Sequence, residues 1–340
     1  MFLASAVGSN RREAAPALVC GEIRGGNSKF VGERRLPGMT AWVACVPASA
    51  QGVGGDLHFM SSCDHDLISR VALADVSGHG SDVDTPATGL YKLMRKNINT
   101  WDQTEFMRGV NDAFSESGEG QYATAIVLSF HRLTGRLAFT NAGHLPPLWY
   151  HATENSWGFL EEGDPLARRG IGLPVGLIPG TDYIQTIVSL RKSDLLVLYT
   201  DGITEAVDNN GRELGRGRLL EWARQSPTEN PTLLGEALLK RFSEFRANRQ
   251  NDDETLIVLQ RNGEPTISTL LKVMYSNTWG RLFRTWTTSN VERITNRSAK
   301  GGTHVEDIFS DGTDWIDGKQ NREILARCRS PRPSIRSQRG

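Results

Sequence analysis

Acidic side chains recur in this sequence at the ends of apolar stretches. Asp75 and Asp201 each end such a stretch, and the pair Asp252 and Asp253 stands directly before another. Oxygen ligands delivered by strand ends and turns are what hard divalent cations such as Mg²⁺ or Mn²⁺ require. The pattern therefore predicts a metal-dependent hydrolase.

Each acidic motif taken alone is also typical of an ordinary structural role. Asp56 follows Gly54-Gly55, which predicts a tight turn, and Asp201-Gly202 is a common turn sequence. Asp252 and Asp253 differ, because adjacent carboxylates before a buried strand repel each other unless a cation or a hydrogen-bond donor offsets the repulsion. The order in which these motifs occur together is the stronger signal.

Composition limits the class of protein. The chain has 340 residues, of which 38% are hydrophobic, and this is enough for a substantial core. Lysine plus arginine and aspartate plus glutamate both number 39, and the formal net charge of +0 argues against a nucleic-acid-binding chain. The 4 cysteines lack zinc-site spacing. No stretch approaches the roughly 20 apolar residues of a membrane span, so we expect a cytoplasmic protein.

Changes in composition along the chain predict three segments. Residues 1–37 are rich in Gly, Arg, Ser and Asn, which predicts a flexible leader. Residues 38–262 carry the periodic apolar patterns and the acidic motifs, and they form the predicted main domain. Residues 263–340 form a C-terminal extension, with a predicted amphipathic helix over 270–286 and a basic, disordered tail. That helix either packs on the main domain or docks a regulatory partner.

Within the main domain, predicted strands mostly follow strands. The strands are predicted over 42–46, 57–60, 67–76, 122–130, 136–140, 148–150, 183–190, 194–200 and 254–260, and the helices over 86–95, 103–115, 216–224 and 232–247. Because the helices cluster between groups of strands, the sequence favours an α+β sandwich of antiparallel sheets over a parallel βαβ sheet.

Five motifs, taken in order, resemble a known family. They are Gly54-Gly55-Asp56, Asp75-Val76-Ser77-Gly78-His79-Gly80, Asn141-Ala142-Gly143-His144, Tyr199-Thr200-Asp201-Gly202 and Asp252-Asp253-Glu254-Thr255. Together they resemble the PPM-type (protein phosphatase type 2C) family, specifically its SpoIIE-like bacterial branch, over residues 39–261. The resemblance implies a four-layer sandwich in which two antiparallel β-sheets are flanked by α-helices.

The resemblance also implies a site for two Mn²⁺ or Mg²⁺ ions, with Asp75 bridging them. Phe59 stands where the family commonly carries another acid, which puts the affinity for the second ion in doubt. The implied ligands are Asp56, Asp75, Val76 through its backbone carbonyl, Asp201 and Asp252, with Asp253 as an additional candidate.

The implied reaction is direct hydrolysis of a phosphoserine or phosphothreonine protein. Two cations about 4 Å apart lower the pKa of a shared water and neutralise the phosphoryl oxygens that it attacks. Asp75 and Asp201 would hold this water through the metal, and no protein nucleophile is required. His79 is a candidate proton donor, although its glycine-rich turn favours a structural role, and His144 is more simply interpreted as bracing a loop.

The implied partner is a phosphorylated protein, and in this branch of the family it would be a STAS-type anti-anti-sigma regulator in a partner-switching circuit. Two alternatives stay open. A pseudophosphatase would bind a phosphoprotein without hydrolysing it, but retention of Asp75, Asp201 and Asp252 counts against this hypothesis. A metal-dependent nuclease would also use clustered acids, but the neutral charge and the absence of interleaved basic and aromatic residues in the main domain disfavour it.

Overall fold

Two β-sheets form the centre of the fold in the computed structural model of the protein. The structure describes residues 23–49, 52–63, 67–78, 84–97, 100, 102–116, 120–160, 171–247, 250 and 252–263. The chain divides into two compact units, Met1–Asn277 and Thr278–Gly340, and all described residues belong to the first. The C-terminal extension predicted over 263–340, with its docking helix, lies outside the described residues from residue 264 onward.

The larger sheet has seven strands. In spatial order these are β1 (Ile23–Ser28), β4 (Val53–Cys63), β5 (Ile68–Val76), β6 (Ala123–His131), β7 (Arg136–Ala142) and β10 (Ile171–Gly172), and β11 (Gln185–Ser189) also pairs with β7. Its pairs are antiparallel except for the short parallel pair of β10 with β7.

The smaller sheet has six strands and is antiparallel throughout. Its spatial order is β2 (Phe30–Leu36), β3 (Met39–Val46), β13 (Glu254–Arg261), β12 (Leu195–Tyr199), β8 (Leu148–His151) and β9 (Ser156–Phe159). β13, the last strand among the described residues, is therefore central in this sheet, and the Asp252-Asp253 motif directly precedes it.

Helices cover the outer face of each sheet. α1 (Asp84–Asn97) and α2 (Gln103–Glu116) pack on the seven-stranded sheet, whereas α4 (Gly215–Arg224) and α5 (Pro231–Phe245) pack on the six-stranded sheet. A further apolar core lies between the two sheets. The short helix α3 (Asp201–Thr204) follows β12 directly. The predicted four-layer sandwich is confirmed.

β5 shows how one strand divides its side chains between two cores. Val71 and Leu73 lie in the core between the sheets, whereas Ala72 and Ala74 lie in the core beneath α1 and α2. Successive side chains of a strand point to opposite faces. Asp75 therefore continues the row that faces the six-stranded sheet, at the end of the inter-sheet core.

Several elements agree with their predictions because local signals were strong. α5 was expected over 232–247 and spans Pro231–Phe245, and the side chain of Asn230 accepts the N–H of Leu233 at 2.9 Å as its N-cap. β12 was expected over 194–200 and spans Leu195–Tyr199. Cys45 is a buried free thiol. Among the described residues, no helix is long and apolar enough to cross a membrane.

Two sequence predictions are wrong. The flexible leader over 1–37 includes β1 and β2, both of which pair along their length within the sheets, while residues 1–22 lie outside the described part of the chain. Gly54-Gly55-Asp56 is not a turn but part of β4. In both places glycines interrupt the strand pattern of the sequence. The strands form because neighbouring strands stabilise them, which a local sequence pattern does not show.

Candidate metal centre

Asp56 and Asp75 face each other on adjacent strands. They are register partners in the antiparallel pair of β4 with β5, and Asp75 is also opposite Thr124 on β6. Directly opposed residues in such a pair have Cβ atoms about 5 Å apart and share one face of the sheet. The first two acidic motifs of the sequence therefore meet at one end of the inter-sheet core.

The six-stranded sheet contributes a hydroxyl to this pair. Thr200, which follows β12, donates its Oγ1 hydrogen to Oδ2 of Asp56 at 2.7 Å, and the same Oγ1 accepts the N–H of Thr255 at 3.1 Å. Both threonines are fully buried. The backbone also connects them, because Thr200 donates its N–H to the Thr255 carbonyl at 3.1 Å. Asp56 is thus oriented by the opposite sheet.

Asp253 braces the start of β4. Its Oδ1 accepts the N–H of Ala48 at 2.7 Å, and its Oδ2 accepts the N–H of Gly55 at 2.5 Å and of Asp56 at 3.3 Å. A Cβ on Gly54 would lie 2.3 Å from Oδ2 of Asp253, so glycine is needed here for close approach. These bonds occupy the carboxylate with backbone donors, which favours a bracing role over the ligand role considered for Asp253.

The Asp201-Gly202 motif packs against the Asp252-Asp253 motif. A Cβ on Gly202 would lie 2.0 Å from the backbone oxygen of Asp253 and 3.4 Å from Cβ of Asp252. Asp201 is the first residue of α3 rather than part of a turn. The glycine therefore allows the beginning of α3 to lie directly on the segment that carries Asp252.

The electrostatic environment links all four predicted acidic ligands. The pKa of Asp75 is raised to about 8, first by burial and then by the charges of Asp201, Asp252, Asp253 and Glu205, in that order. Burial also raises the pKa of Asp56 well above its usual range, with a second contribution from Asp75. These groups are close enough to repel one another, and a divalent cation would relieve that repulsion.

The donor set fits a hard cation in its chemistry, since the converging groups are carboxylate and backbone oxygens. In the described part of the chain, no three His, Cys, Asp or Glu side chains already stand at ligand spacing around a common point. Val76, whose carbonyl was the predicted backbone ligand, is the last residue of β5 and pairs with Ala123. The fit therefore rests on oxygen chemistry and charge rather than on a preformed ligand shell.

Glu205 is an acidic neighbour that the sequence interpretation missed. The pKa of Glu205 is raised, first by burial and then by the charges of Asp201, Glu213 and Asp252. Its position one turn after Asp201, at the end of α3, is the signal that would have indicated it.

His144 is buried beside the centre. Its ring Nδ1 lies 2.9 Å from Oγ1 of Thr124. Its backbone N–H donates to Oδ1 of Asn141 at 2.7 Å, and its backbone carbonyl accepts a hydrogen bond from Nδ2 of Asn141 at 2.9 Å. Burial lowers the pKa of His144 to about 4, so the ring is neutral near pH 7. These contacts agree with a bracing role. His79, the candidate proton donor, lies outside the described residues.

The family model described as Stage II sporulation protein E (SpoIIE) matches residues 69–262, more than half of the 340-residue chain. The chain belongs to the SpoIIE family. The matched region begins at the second residue of β5, includes Asp75 and extends through β13, so it includes the acidic motifs except the one that ends at Asp56. The family resemblance of the motifs is thereby confirmed.

The chain is also similar to a curated relative and to two solved structures. Phosphoserine phosphatase RsbU of Bacillus subtilis (strain 168) is 26% identical over 229 residues, which cover 64% of this chain and 63% of RsbU. The chain thus spans less than two thirds of the length of that relative.

The two solved structures have the same fold as this chain. The RsbU and RsbW domains of Rv1364c from Mycobacterium tuberculosis match with a TM-score of 0.58 and 25% identity, covering 71% of this chain and 63% of that one. The PP2C phosphatase domain and a regulatory fragment of SpoIIE from Bacillus subtilis match with a TM-score of 0.56 and 18% identity, covering 69% of this chain and 66% of that one. The SpoIIE-family chain therefore has a PP2C phosphatase fold.

Proposed function

We propose that this SpoIIE-family chain is a metal-dependent protein serine/threonine phosphatase that hydrolyses a phosphoserine or phosphothreonine protein. The observation that carries the proposal is that Asp56 and Asp75 oppose each other in register on the seven-stranded sheet, while Asp201 and Asp252, which adjoin strands of the six-stranded sheet, act on Asp75 through their charges. Carboxylates that lie close enough to Asp75 to raise its pKa form an arrangement that a bound cation stabilises.

The residues that would hold two Mn²⁺ or Mg²⁺ ions are Asp56, Asp75, Val76 through its carbonyl, Asp201 and Asp252. When bound, such ions supply positive charge that polarises a phosphoryl group and makes a water molecule more acidic. Asp75 is central to this set, because it faces Asp56 in register and is within electrostatic reach of both other acids.

Other residues of the chain orient the ligands. Thr200 fixes one carboxylate oxygen of Asp56, and Asp253 accepts the backbone N–H groups of Asp56 and of the preceding Gly55. Such supporting hydrogen bonds hold ligands in a productive orientation and tune their affinity for metal. Because His144 is neutral and engaged with Asn141 and Thr124, it is assigned no proton-donor role.

The similarity to RsbU, which is named a phosphoserine phosphatase, supports a phosphoprotein as the substrate. From the resemblance of the five motifs, the proposed substrate is a STAS-type anti-anti-sigma regulator of a cytoplasmic partner-switching circuit. The amphipathic pattern over 270–286 separately supports a regulatory partner docking on the C-terminal extension. Analogy with relatives does not identify a substrate, so the substrate must be found by assay.

The direct test is hydrolysis of a phosphoserine peptide and of p-nitrophenyl phosphate, each with and without Mn²⁺. We expect turnover that requires the metal and falls by about 10²-fold or more in Asp201→Asn, since that change removes one ligand charge. Asp208→Asn is the matched control, because Asp208 is a surface acid whose Oδ1 accepts the N–H groups of Asn210 and Arg212. Peptide binding without turnover would instead indicate a pseudophosphatase.

A second experiment tests the reaction type. Because no protein nucleophile is proposed, the enzyme quenched during turnover of a ³²P-labelled peptide should carry no covalent phosphate. A labelled phosphoenzyme would overturn direct hydrolysis.

A further inference from the structure

Exposed large apolar side chains concentrate in one stretch of the described sequence. Of the seven large apolar residues that are strongly exposed there, five belong to residues 122–184, and we call them the apolar patch: Tyr122 (41%), Leu173 (44%), Leu177 (45%), Ile178 (51%) and Ile184 (52%). The other two, Val31 and Leu233, lie on β2 and α5 and belong to the six-stranded side. Single exposed apolar residues are ordinary, but a group of them marks an interaction site.

The segment that carries most of the patch is firmly fixed. Asn111 of α2 is fully buried, and its Oδ1 accepts the N–H of Gly176 at 2.9 Å and the hydroxyl of Tyr183 at 3.1 Å. Its Nδ2 donates to the carbonyl of Ile178 at 3.0 Å. Leu177 and Ile178 are therefore exposed on a held backbone. A preformed surface of this kind loses less conformational entropy when a partner binds.

The backbone next to the patch is hydrogen-bonded to β6, the neighbour of the strand that carries Asp75. Val175 exchanges two backbone hydrogen bonds with Ala123, at 2.7 and 2.8 Å, and Ala123 pairs with Val76 at the end of β5. Tyr122 is joined to Ser77, whose N–H donates to the Tyr122 carbonyl at 2.8 Å. Neighbouring strands lie about 4.8 Å apart, so the Val175 backbone is about 10 Å from that of Val76.

This distance determines which residues of a bound polypeptide would lie against the patch. An extended chain advances about 3.3 Å per residue, so a substrate with its phosphate at the carboxylates would reach the patch about three residues away. A second copy docked on the same surface would lie beside Val76 and obstruct the centre. The position therefore favours the substrate polypeptide as the occupant.

We propose that the apolar patch is the docking surface for the phosphorylated polypeptide. It selects apolar side chains about two to five positions from the phosphoserine or phosphothreonine. This inference rests on the proposed phosphatase function. Its physical basis is that apolar flanking residues lose contact with water against Leu177 and Ile178, whereas polar flanking residues gain nothing there.

The test uses two phosphoserine peptides of equal length and charge. One carries leucine at the third and fourth positions on each side of the phosphoserine, and the other carries serine there. The enzymes compared are wild type, the double variant Leu177→Ser/Ile178→Ser and the matched control Val31→Ser/Leu233→Ser, whose replaced side chains are similarly exposed but distant in the fold.

We expect wild type and the control to prefer the leucine peptide by about tenfold in kcat/KM, a difference that two buried apolar side chains readily supply. The patch variant should lower this preference to about twofold through KM, with p-nitrophenyl phosphate hydrolysis unchanged in all three enzymes. Equal cleavage of both peptides by wild type, or an unchanged preference in the patch variant, would overturn the docking proposal.

Failure of the proposed function gives a different result. In that case wild type would hydrolyse neither p-nitrophenyl phosphate nor either peptide. The Kd values of the two peptides, measured by fluorescence anisotropy, would then test the patch by themselves. We expect wild type to bind the leucine peptide about tenfold more tightly than the serine peptide and the patch variant to lose this preference. Equal Kd values of wild type for the two peptides would overturn the docking proposal.

Discussion

Asp253 accepts the backbone N–H of Gly55 at 2.5 Å, and this bond joins the two sheets of the protein. Asp253 stands one residue before β13 of the six-stranded sheet, whereas Gly55 lies in β4 of the seven-stranded sheet. The neighbouring residue, Asp56, is the first predicted ligand. An acid that the sequence suggested as a possible ligand thus holds the backbone of a predicted ligand in place.

Removing this brace should destabilise the fold. Asp253→Ala leaves the N–H groups of Ala48, Gly55 and Asp56 without their acceptor. The N–H groups of Gly55 and Asp56 are buried. Each unsatisfied buried donor costs about 1–3 kcal/mol, so we expect the free energy of unfolding in urea to fall by about 2–5 kcal/mol.

Two variants control for other causes. Asp253→Asn removes the charge that repels Asp75 but keeps one acceptor oxygen, and it should lose less stability than Asp253→Ala. Asp208→Ala also removes the acceptor of two backbone N–H groups, but at the exposed turn of residues 208–212, where water can replace it. If Asp208→Ala is as damaging as Asp253→Ala, the bracing interpretation is wrong.

Gly202 should not tolerate a side chain. In Gly202→Ala the new Cβ would lie 2.0 Å from the backbone oxygen of Asp253, so α3 or the Asp252-Asp253 segment must move. We expect a loss of about 2 kcal/mol or more in unfolding free energy, together with weaker Mn²⁺-dependent activity.

Gly217→Ala provides the comparison. Gly217 lies in α4 with no atom within 4 Å of an added Cβ, so alanine should be neutral or stabilise by about 0.5–1 kcal/mol through its higher helix propensity. Equal thermal denaturation curves for the two variants would contradict the packing argument.

The Thr200 hydroxyl should matter for catalysis more than for folding. Thr200→Val keeps the shape but removes the donor to Asp56 and the acceptor for the Thr255 N–H. We expect kcat/KM to fall about 10- to 100-fold and the half-saturating Mn²⁺ concentration to rise, since the ligand loses its supporting hydrogen bond. Thr200→Ser should restore both values to within about threefold. Equal impairment in the serine variant would show that side-chain packing, not the hydroxyl, is decisive.

Stability should decrease in acid because of His144. Burial lowers the pKa of His144 to about 4 from an ordinary value of 6.5, so between these values the unfolded chain binds a proton that the folded chain does not. Stability therefore falls as the pH drops from about 6.5 to 4, by at most about 3 kcal/mol from this one group.

Urea unfolding of His144→Gln at several pH values measures the effect. The difference in unfolding free energy between wild type and variant should change across this pH range. Burial also lowers the pKa of His58 to about 4, so part of the acid sensitivity should persist in the variant. Parallel curves for the two proteins would show that His144 does not titrate as described.

The sequence indicated correctly those features that local chemistry specifies. The helix predicted over 232–247 corresponds to α5, and the apolar run before Asp201 predicted β12, because side-chain periodicity acts over a few residues. It failed at β1 and β2, where Gly25, Gly26 and Gly32 interrupt the pattern and the strands are stabilised by their neighbours.

The residues that support the site could not be predicted in the same way. Nothing in the local sequence distinguishes Asp253, which accepts three backbone N–H groups, from Asp252 beside it. Gly54 looked like a turn residue, although its role is to admit the Asp253 carboxylate. Asn111 is one polar residue on an amphipathic helix, and only its contacts with residues 176–183 show that it fixes the apolar patch.

By itself the sequence determined the family, the succession of strands and helices and the acids able to bind a cation, because each of these depends on residue type and short-range order. Tertiary structure alone decided which acids face one another, which one serves as a brace and where apolar side chains stay exposed. Those outcomes depend on contacts between residues such as Asp56 and Thr200, 144 positions apart, and such contacts exist only after the two sheets have packed together.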